Sequence, residues 1–203
     1  MQYGICNLGI VPMRYETDDK SELVSQMLYG EYFKVLEKRK KWSRIRISYD
    51  KYEAWVDNKQ YQEISEKNYK SLVNEQPLLS TDLLEYISDK NRNILTIPLG
   101  ATLNGLKLLN HSFEGNNQSV INDKTKLIKT AFLYLNSPYL WGGKTPFGID
   151  CSGFTQMVYR INGHKLRRDA SQQAKQGEAL SFIEESEPGD LAFFDNSEGN
   201  IIH

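Results

Sequence analysis

The chain has 203 residues, with 25 basic and 26 acidic side chains and a formal charge of −1. Phosphate-dominated binding needs a clustered basic excess, so this balance argues against a nucleic-acid partner. Hydrophobic residues make up 39%, an ordinary share for a globular protein, and no apolar run reaches the length of a membrane span.

The length suits two or three compact units. The opening, MQYGICNLGIVPM, lacks the basic start and long apolar stretch of a secretion signal. A cytoplasmic protein is therefore expected, or an exported one whose leader has been removed. Cys6 and Cys151 are the two cysteines. They form neither a disulfide framework nor a metal knuckle, and three scattered histidines add no ligand spacing. No metal and no cofactor is expected, and the absence of C-x-x-C argues against a thiol redox role.

Residues 1–63 read as short strands. VPMRY and KWSRIRI alternate apolar and polar residues, the period of a half-buried strand. Between them, TDDKSELVSQML suggests a short helical or extended connector that Thr17 or Asp18 could cap. The whole suggests a small, strongly bent β-barrel. Residues 64–122 again offer short β-like runs with Gly and Asn turns, read as a second small barrel or an elaborated linker. EGNNQS, 114–119, reads as a loop.

From 123 the period changes. Leu127, Ile128, Ala131, Phe132 and Leu135 fall at helical spacing, with Asp123 as a possible N-cap and Pro138 past the end. A loop through Gly142 and Gly143 follows. Then CSGFTQMVYRINGH puts Phe154, Met157, Val158 and Ile161 on one helical stripe that stops near Gly163. GDLAFFDN and NIIH read as two strands joined by NSEGN. The order is helix, loop, helix, strands, hence an α+β unit over 123–203.

Cys151 begins the second helix. A helix N-terminus offers unpaired N–H groups and partial positive charge, which favour a thiolate and can receive the oxyanion of a tetrahedral intermediate. An attacking cysteine also needs a base, usually histidine. His203 lies 52 residues on, at the end of a predicted strand. His164 sits past the other end of the cysteine helix, roughly 20 Å away at helical rise. His111 has no motif around it. On spacing alone the alternative stands: Cys151 as a small buried hydrophobe, His203 as a surface residue and Asp150 as a plain helix cap.

The stretch YLWGGKTPFGIDCSGFTQMVY resembles the NlpC/P60 family of cell-wall cysteine peptidases. RDASQQAKQG, EPGDLAFF and a strand-borne histidine follow in the family's order. MRYETDDKSELVSQMLYGE with YDKYEAWV is similar to the SH3-like domain of the family's γ-D-glutamyl-L-diamino acid endopeptidases. The resemblance implies a papain-like catalytic domain, C-terminally incomplete, behind one or two SH3-like barrels. It implies Cys151 as nucleophile, His203 as base and Tyr139 as a hydroxyl that helps hold the oxyanion; locally, Tyr139 could equally be a lid on the core.

The substrate implied is a muropeptide, L-Ala-γ-D-Glu-diamino acid, with a free amine. Glu16, Tyr52 (with Tyr49 its rival) and Asp150 would meet that amine. Ser152 with Arg168, Asp169, Ala170 and Ser171 would meet the D-glutamate carboxylate. Glu16 reads locally as a solvated acid. The barrel would close the cleft beyond L-Ala and so favour released muropeptides, as in wall recycling, over intact wall. A monomer is expected. In the family more strands follow the histidine, one carrying a third polar residue that orients the base. None has a counterpart here, so the expectation is a truncated form, weakly active or inactive. The rival readings are a non-catalytic muropeptide-binding protein and a Cys-His amidase or acyltransferase of the same superfamily.

Overall fold

A computed structural model of the chain describes residues 1–119 and 124–203. Seven strands, β1 (Gln2–Ile5), β2 (Ile10–Arg14), β3 (Leu23–Leu28), β4 (Tyr32–Lys38), β5 (Trp42–Ile47), β6 (Glu53–Asp57) and β7 (Gln62–Ile64), form the first unit. They pair antiparallel in the order β3-β2-β6-β5-β4-β1-β7. Bulges between Met13 and Arg14 and between Val35 and Glu37 bend the sheet. In β5 the predicted alternation holds: Ser43, Ile45 and Ile47 face the core, while Arg44 and Arg46 face out and pair with Glu53. The core also takes Cys6, Val11, Met13, Met27, Phe33, Val35 and Val56. Of the connector 17–28, Leu23–Leu28 is strand β3, the extended alternative, and the residues just before it form bends and turns rather than helix. Asp18 caps a turn, its Oδ1 accepting Lys20 N–H at 2.8 Å.

Residues 65–119 contain α1 (Glu66–Asn74), β8 (Leu78–Ser80), β9 (Leu84–Asp89), β10 (Ile94–Pro98), α2 (Leu106–Leu109), β11 (His111–Phe113) and β12 (Asn117–Ser119). Strands β10-β9-β11 form one small sheet and β12-β8 another. The helix α1 was not anticipated. Ser65 caps it by accepting Asn68 N–H, and it buries Tyr69 and Leu72. Nor is 114–119 simply a loop, because its last three residues pair with β8. Ile5 and Tyr29 of the first unit share a core with Ile87, Ile97, Leu103 and Leu109.

The third unit holds α3 (Leu127–Phe132), the hairpin β13 (Lys144–Thr145) and β14 (Gly148–Ile149), α4 (Cys151–Ile161) and α5 (Ala170–Gln173). The proposed Asp123 cap lies outside the described residues. The buried face of the first helical segment is Leu127, Thr130 and, just beyond the helix, Tyr134, whereas Ile128, Phe132 and Leu135 are exposed. The predicted stripe was therefore rotated from the true one. In α4 the expected stripe does pack: Met157, Val158 and Ile161 are buried and Phe154 lies against them. Gly163, at φ +84, sits just past the helix end. The two strands expected near the C-terminus reduce to a single bridge, Asp195 with Ile201. Two short segments that pair only with each other give a marginal ribbon. Among the described residues no helix is long and apolar enough to cross a membrane.

The two thiols differ sharply. Cys6 is fully buried in the barrel, and that burial pushes its thiol pKa well up. Cys151 is partly exposed. Native protein is expected to take one equivalent of iodoacetamide, at Cys151, with Cys6 reacting only on unfolding. Peptide mass spectrometry before and after denaturation checks this.

Candidate active site

The site is built where the hairpin meets α4. Asp150 is the N-cap of α4, its Oδ1 accepting Gly153 N–H at 2.6 Å. Its Oδ2 accepts Gly142 N–H at 2.8 Å. The first contact is local to the helix, whereas the second ties the loop ahead of the hairpin to the helix start. A Cβ on Gly153 would sit 2.3 Å from the Gly143 carbonyl oxygen, which explains the glycine in DCSG. Gly142 adopts φ +76 and would meet the carbonyl of Leu23 in β3 at 2.3 Å. The loop glycines thus bring the barrel's edge strand against the residues that lead into Cys151.

Tyr139 bridges to Ile149 and so lies beside the residues preceding Cys151. Its pKa is raised by desolvation and by its neighbours Cys151 and Asp150, partly offset by Arg168. The phenol therefore keeps its proton as an available donor. Cys151, Tyr139, Asp150, Ser152 and His203 line one cavity of about 370 Å³, together with Thr155, Ala170, Gln173 and Phe193. His203 is held there by the backbone: Phe194 N–H donates to its carbonyl at 3.0 Å, and its own N–H donates back at 3.3 Å.

Arg168 does not face this cavity. It is 1% exposed, and its guanidinium donates inward. Nη1 bonds Asp150 Oδ1 and Ser152 Oγ, each at 3.0 Å, Nη2 bonds Asp150 Oδ2 at 2.7 Å, and Nε bonds Ser25 Oγ of β3 at 3.0 Å. Asp150 is likewise occupied by Arg168 and two backbone N–H groups. The structure thus places Arg168 against Asp150 and Ser152 rather than at the cavity wall, and Asp150, though it lines the cavity, has most of its oxygens' capacity taken up.

Asp169 is different. Its pKa is raised, chiefly by desolvation, with Asp150 and Asp50 adding negative charge against the opposing effects of Arg168 and a hydrogen bond from Tyr52. Tyr49, by contrast, packs under Arg160, 4.6 Å from its ring, and donates to the His164 carbonyl at 3.2 Å. Tyr52 is thus the barrel tyrosine beside Asp169, the residue that leads into α5. Ser171 is exposed and lines no part of the cavity, although its neighbour Ala170 does.

Glu16 is not brought to the cavity either. Its backbone N–H is tied to Ser21 Oγ at 2.9 Å within the 15–22 turn, and the residue is exposed. From the same segment, Glu22 does reach the third unit, accepting Trp141 Nε1–H at 2.6 Å. Sequence reading missed it, along with Gln26, whose Oε1 accepts Lys144 N–H at 2.7 Å. It also missed Gln173, which accepts from Thr155 Oγ1 and donates to the Ser152 carbonyl. Acids and amides in a turn and an edge strand give no local sign that another unit will cover them.

Comparison with known proteins fits this geometry. Residues 136–203 match the NlpC/P60 family model and residues 13–60 the bacterial dipeptidyl-peptidase SH3 domain model. The chain carries an NlpC/P60 domain behind a bacterial SH3 domain. A γ-D-glutamyl-L-lysine dipeptidyl-peptidase of Bacillus subtilis is 44% identical over 38% of this chain and 26% of its own length. One of the same name from Bacillus cereus is 28% identical over 90% of this chain and 64% of its own. Dipeptidyl-peptidase 6 of Lysinibacillus sphaericus is 27% identical over 88% and 76%. The chain thus spans about a quarter and just under two-thirds of the two Bacillus relatives. A crystal structure of an NlpC/P60 family protein from Bacillus cereus superposes with a TM-score of 0.81 at 18% identity, covering 99% of this chain and 86% of that one, which shows a shared fold. That likeness includes the papain-like NlpC/P60 unit and the N-terminal SH3 domain, as the α+β reading expected.

Proposed function

We propose that the protein is a cysteine peptidase that hydrolyses the γ-D-glutamyl-diamino acid bond of small cell-wall peptides with a free N-terminal L-Ala. One observation carries the reading: a single cavity gathers a partly exposed cysteine at a helix N-terminus, a protonated phenol and His203. In the proposed reaction Cys151 Sγ attacks the γ-carbonyl carbon and His203 takes the thiol proton. Tyr139 O–H and the N-terminus of α4 receive the oxyanion. Collapse expels the diamino acid amine, which leaves with the proton from His203. Water, deprotonated by His203, then cleaves the thioester and frees the dipeptide.

The printed names of the relatives support the choice of bond. The free amine is supported by charge. Asp169 is a desolvated carboxyl hydrogen-bonded by Tyr52, and the cation that acts on it, Arg168, is already bound to Asp150. A substrate ammonium would supply the missing counter-charge. In this reading Asp169 with Tyr52 anchors the amine, in place of Asp150. The barrel stands beyond that anchor, so released muropeptides are the preferred substrates.

Cleavage of L-Ala-γ-D-Glu-L-Lys should exceed that of its N-acetylated form by about 10- to 100-fold in kcat/KM, the worth of one charged hydrogen-bonded contact. Asp169→Asn should erase most of that preference. Equal rates on both peptides with the unaltered protein would dismiss the amine anchor.

A further inference from the structure

The barrel contributes a buried acid that the proposed chemistry does not touch. Glu31 sits in the turn between β3 and β4 with its side chain 2% exposed. Its Oε2 accepts Leu28 N–H at 2.8 Å, which fixes the carboxylate on the barrel. Its Oε1 faces two cations of the third unit: Lys144 Nζ at 3.5 Å and Arg160 Nη1 in a direct ion pair. Arg160 completes its contacts with Thr102 Oγ1 at 2.9 Å and the face of Tyr49. Lys144 lies seven residues before Cys151 in the hairpin, and Arg160 lies nine residues after it on α4. One carboxylate therefore grips both sides of the segment that carries the nucleophile.

We infer that Glu31 is a positioning residue for Cys151, a barrel carboxylate that sets the hairpin entering the nucleophile and the helix leaving it in one register. This rests on the reading of Cys151 as the reacting group. Hairpin placement matters directly, because Gly142 N–H and the Gly143 carbonyl hold Asp150, the residue before Cys151. Such clusters add little stability over apolar packing, yet they demand a particular geometry. Removing the carboxylate leaves Lys144 and Arg160 facing each other, with Asp50 the other acid acting on both.

The test uses the full chain with Glu31→Gln, Glu31→Asp, and the charge-free Glu31→Leu/Lys144→Met/Arg160→Met. The readouts are the rate of Cys151 alkylation by iodoacetamide from pH 5 to 9, followed by mass spectrometry, and kcat and KM on the free tripeptide. Glu31→Gln should slow alkylation at pH 7 and lower kcat by roughly tenfold, with KM within about twofold, as expected of a displaced nucleophile. Glu31→Asp, folded and still charged, should fall between. The charge-free variant should regain the thermal midpoint of the unaltered protein but not its Cys151 reactivity. A folded Glu31→Gln or Glu31→Asp with an unchanged alkylation profile overturns the inference, and so does a charge-free variant that regains both. If the unaltered protein is alkylated rapidly yet cleaves no peptide, the proposed function fails, while the alkylation series still decides the role of Glu31.

Discussion

Replacing Cys151 with alanine is expected to lower kcat by at least about a thousandfold while leaving the fold intact. The size follows from the division of labour in nucleophile–base pairs, where loss of either member removes most of the chemistry and leaves only what oxyanion stabilisation and binding supply. The fold should survive because α4 is held by other atoms. Met157, Val158 and Ile161 pack into the core, and Asp150 caps the first turn. Cys151 instead lines the cavity and is partly exposed. His203→Ala should cost nearly as much, and the double variant little more than either single one, because the two act as a unit. Rates from product chromatography, set beside thermal melts of each variant, check the prediction. Additive losses would mean that Cys151 and His203 act independently.

The second large effect is on stability. Arg168→Met should destabilise the protein by about 3–5 kcal/mol, because it leaves the buried Asp150 carboxylate without its cation. For a chain of this size that corresponds to a fall in melting temperature of roughly 10 °C. Arg168→Lys should recover only part, since an ammonium cannot span both Asp150 oxygens while also reaching Ser25 and Ser152. Arg168→Met with Asp150→Asn should be milder than Arg168→Met alone, as no unpaired charge is then buried. A melting temperature for Arg168→Met within a degree or two of the unaltered protein would show the pair to be energetically idle.

Local patterns revealed the parts whose causes are local. The alternation of β5, the apolar stripe of α4, its Asp150 cap and its end before Gly163 are set by residues within a few positions of one another. The end of the first helical segment misled for a related reason: Ile128, Phe132 and Leu135 are apolar at helical spacing, yet the buried side is chosen by Thr130 and Tyr134 packing beneath α4. Helix α1 carried a real signal in Ser65, but only Tyr69 and Leu72 mark its buried face, too few to stand out between strand-like runs. The barrel-to-helix contacts lay furthest from view. Glu31 and Arg160 are 129 positions apart, and Glu22 and Trp141 are 119 apart. Nothing near either member of such a pair announces the other. Arg160 offered the one hint, a permanent charge set among Val158, Tyr159 and Ile161.

The edge strand β3 lies against the loop at Gly142, and Leu28 at its end is buried in the same cluster as Met157 and Ile161. Barrel and C-terminal unit are therefore poor candidates for modular exchange. A chimera with a foreign barrel grafted ahead of the nucleophile helix would lose Ser25 beneath Arg168, Gln26 at Lys144 and a leucine from the helix's own interior. Swapping substrate preference in this architecture requires transplanting the seam along with the barrel.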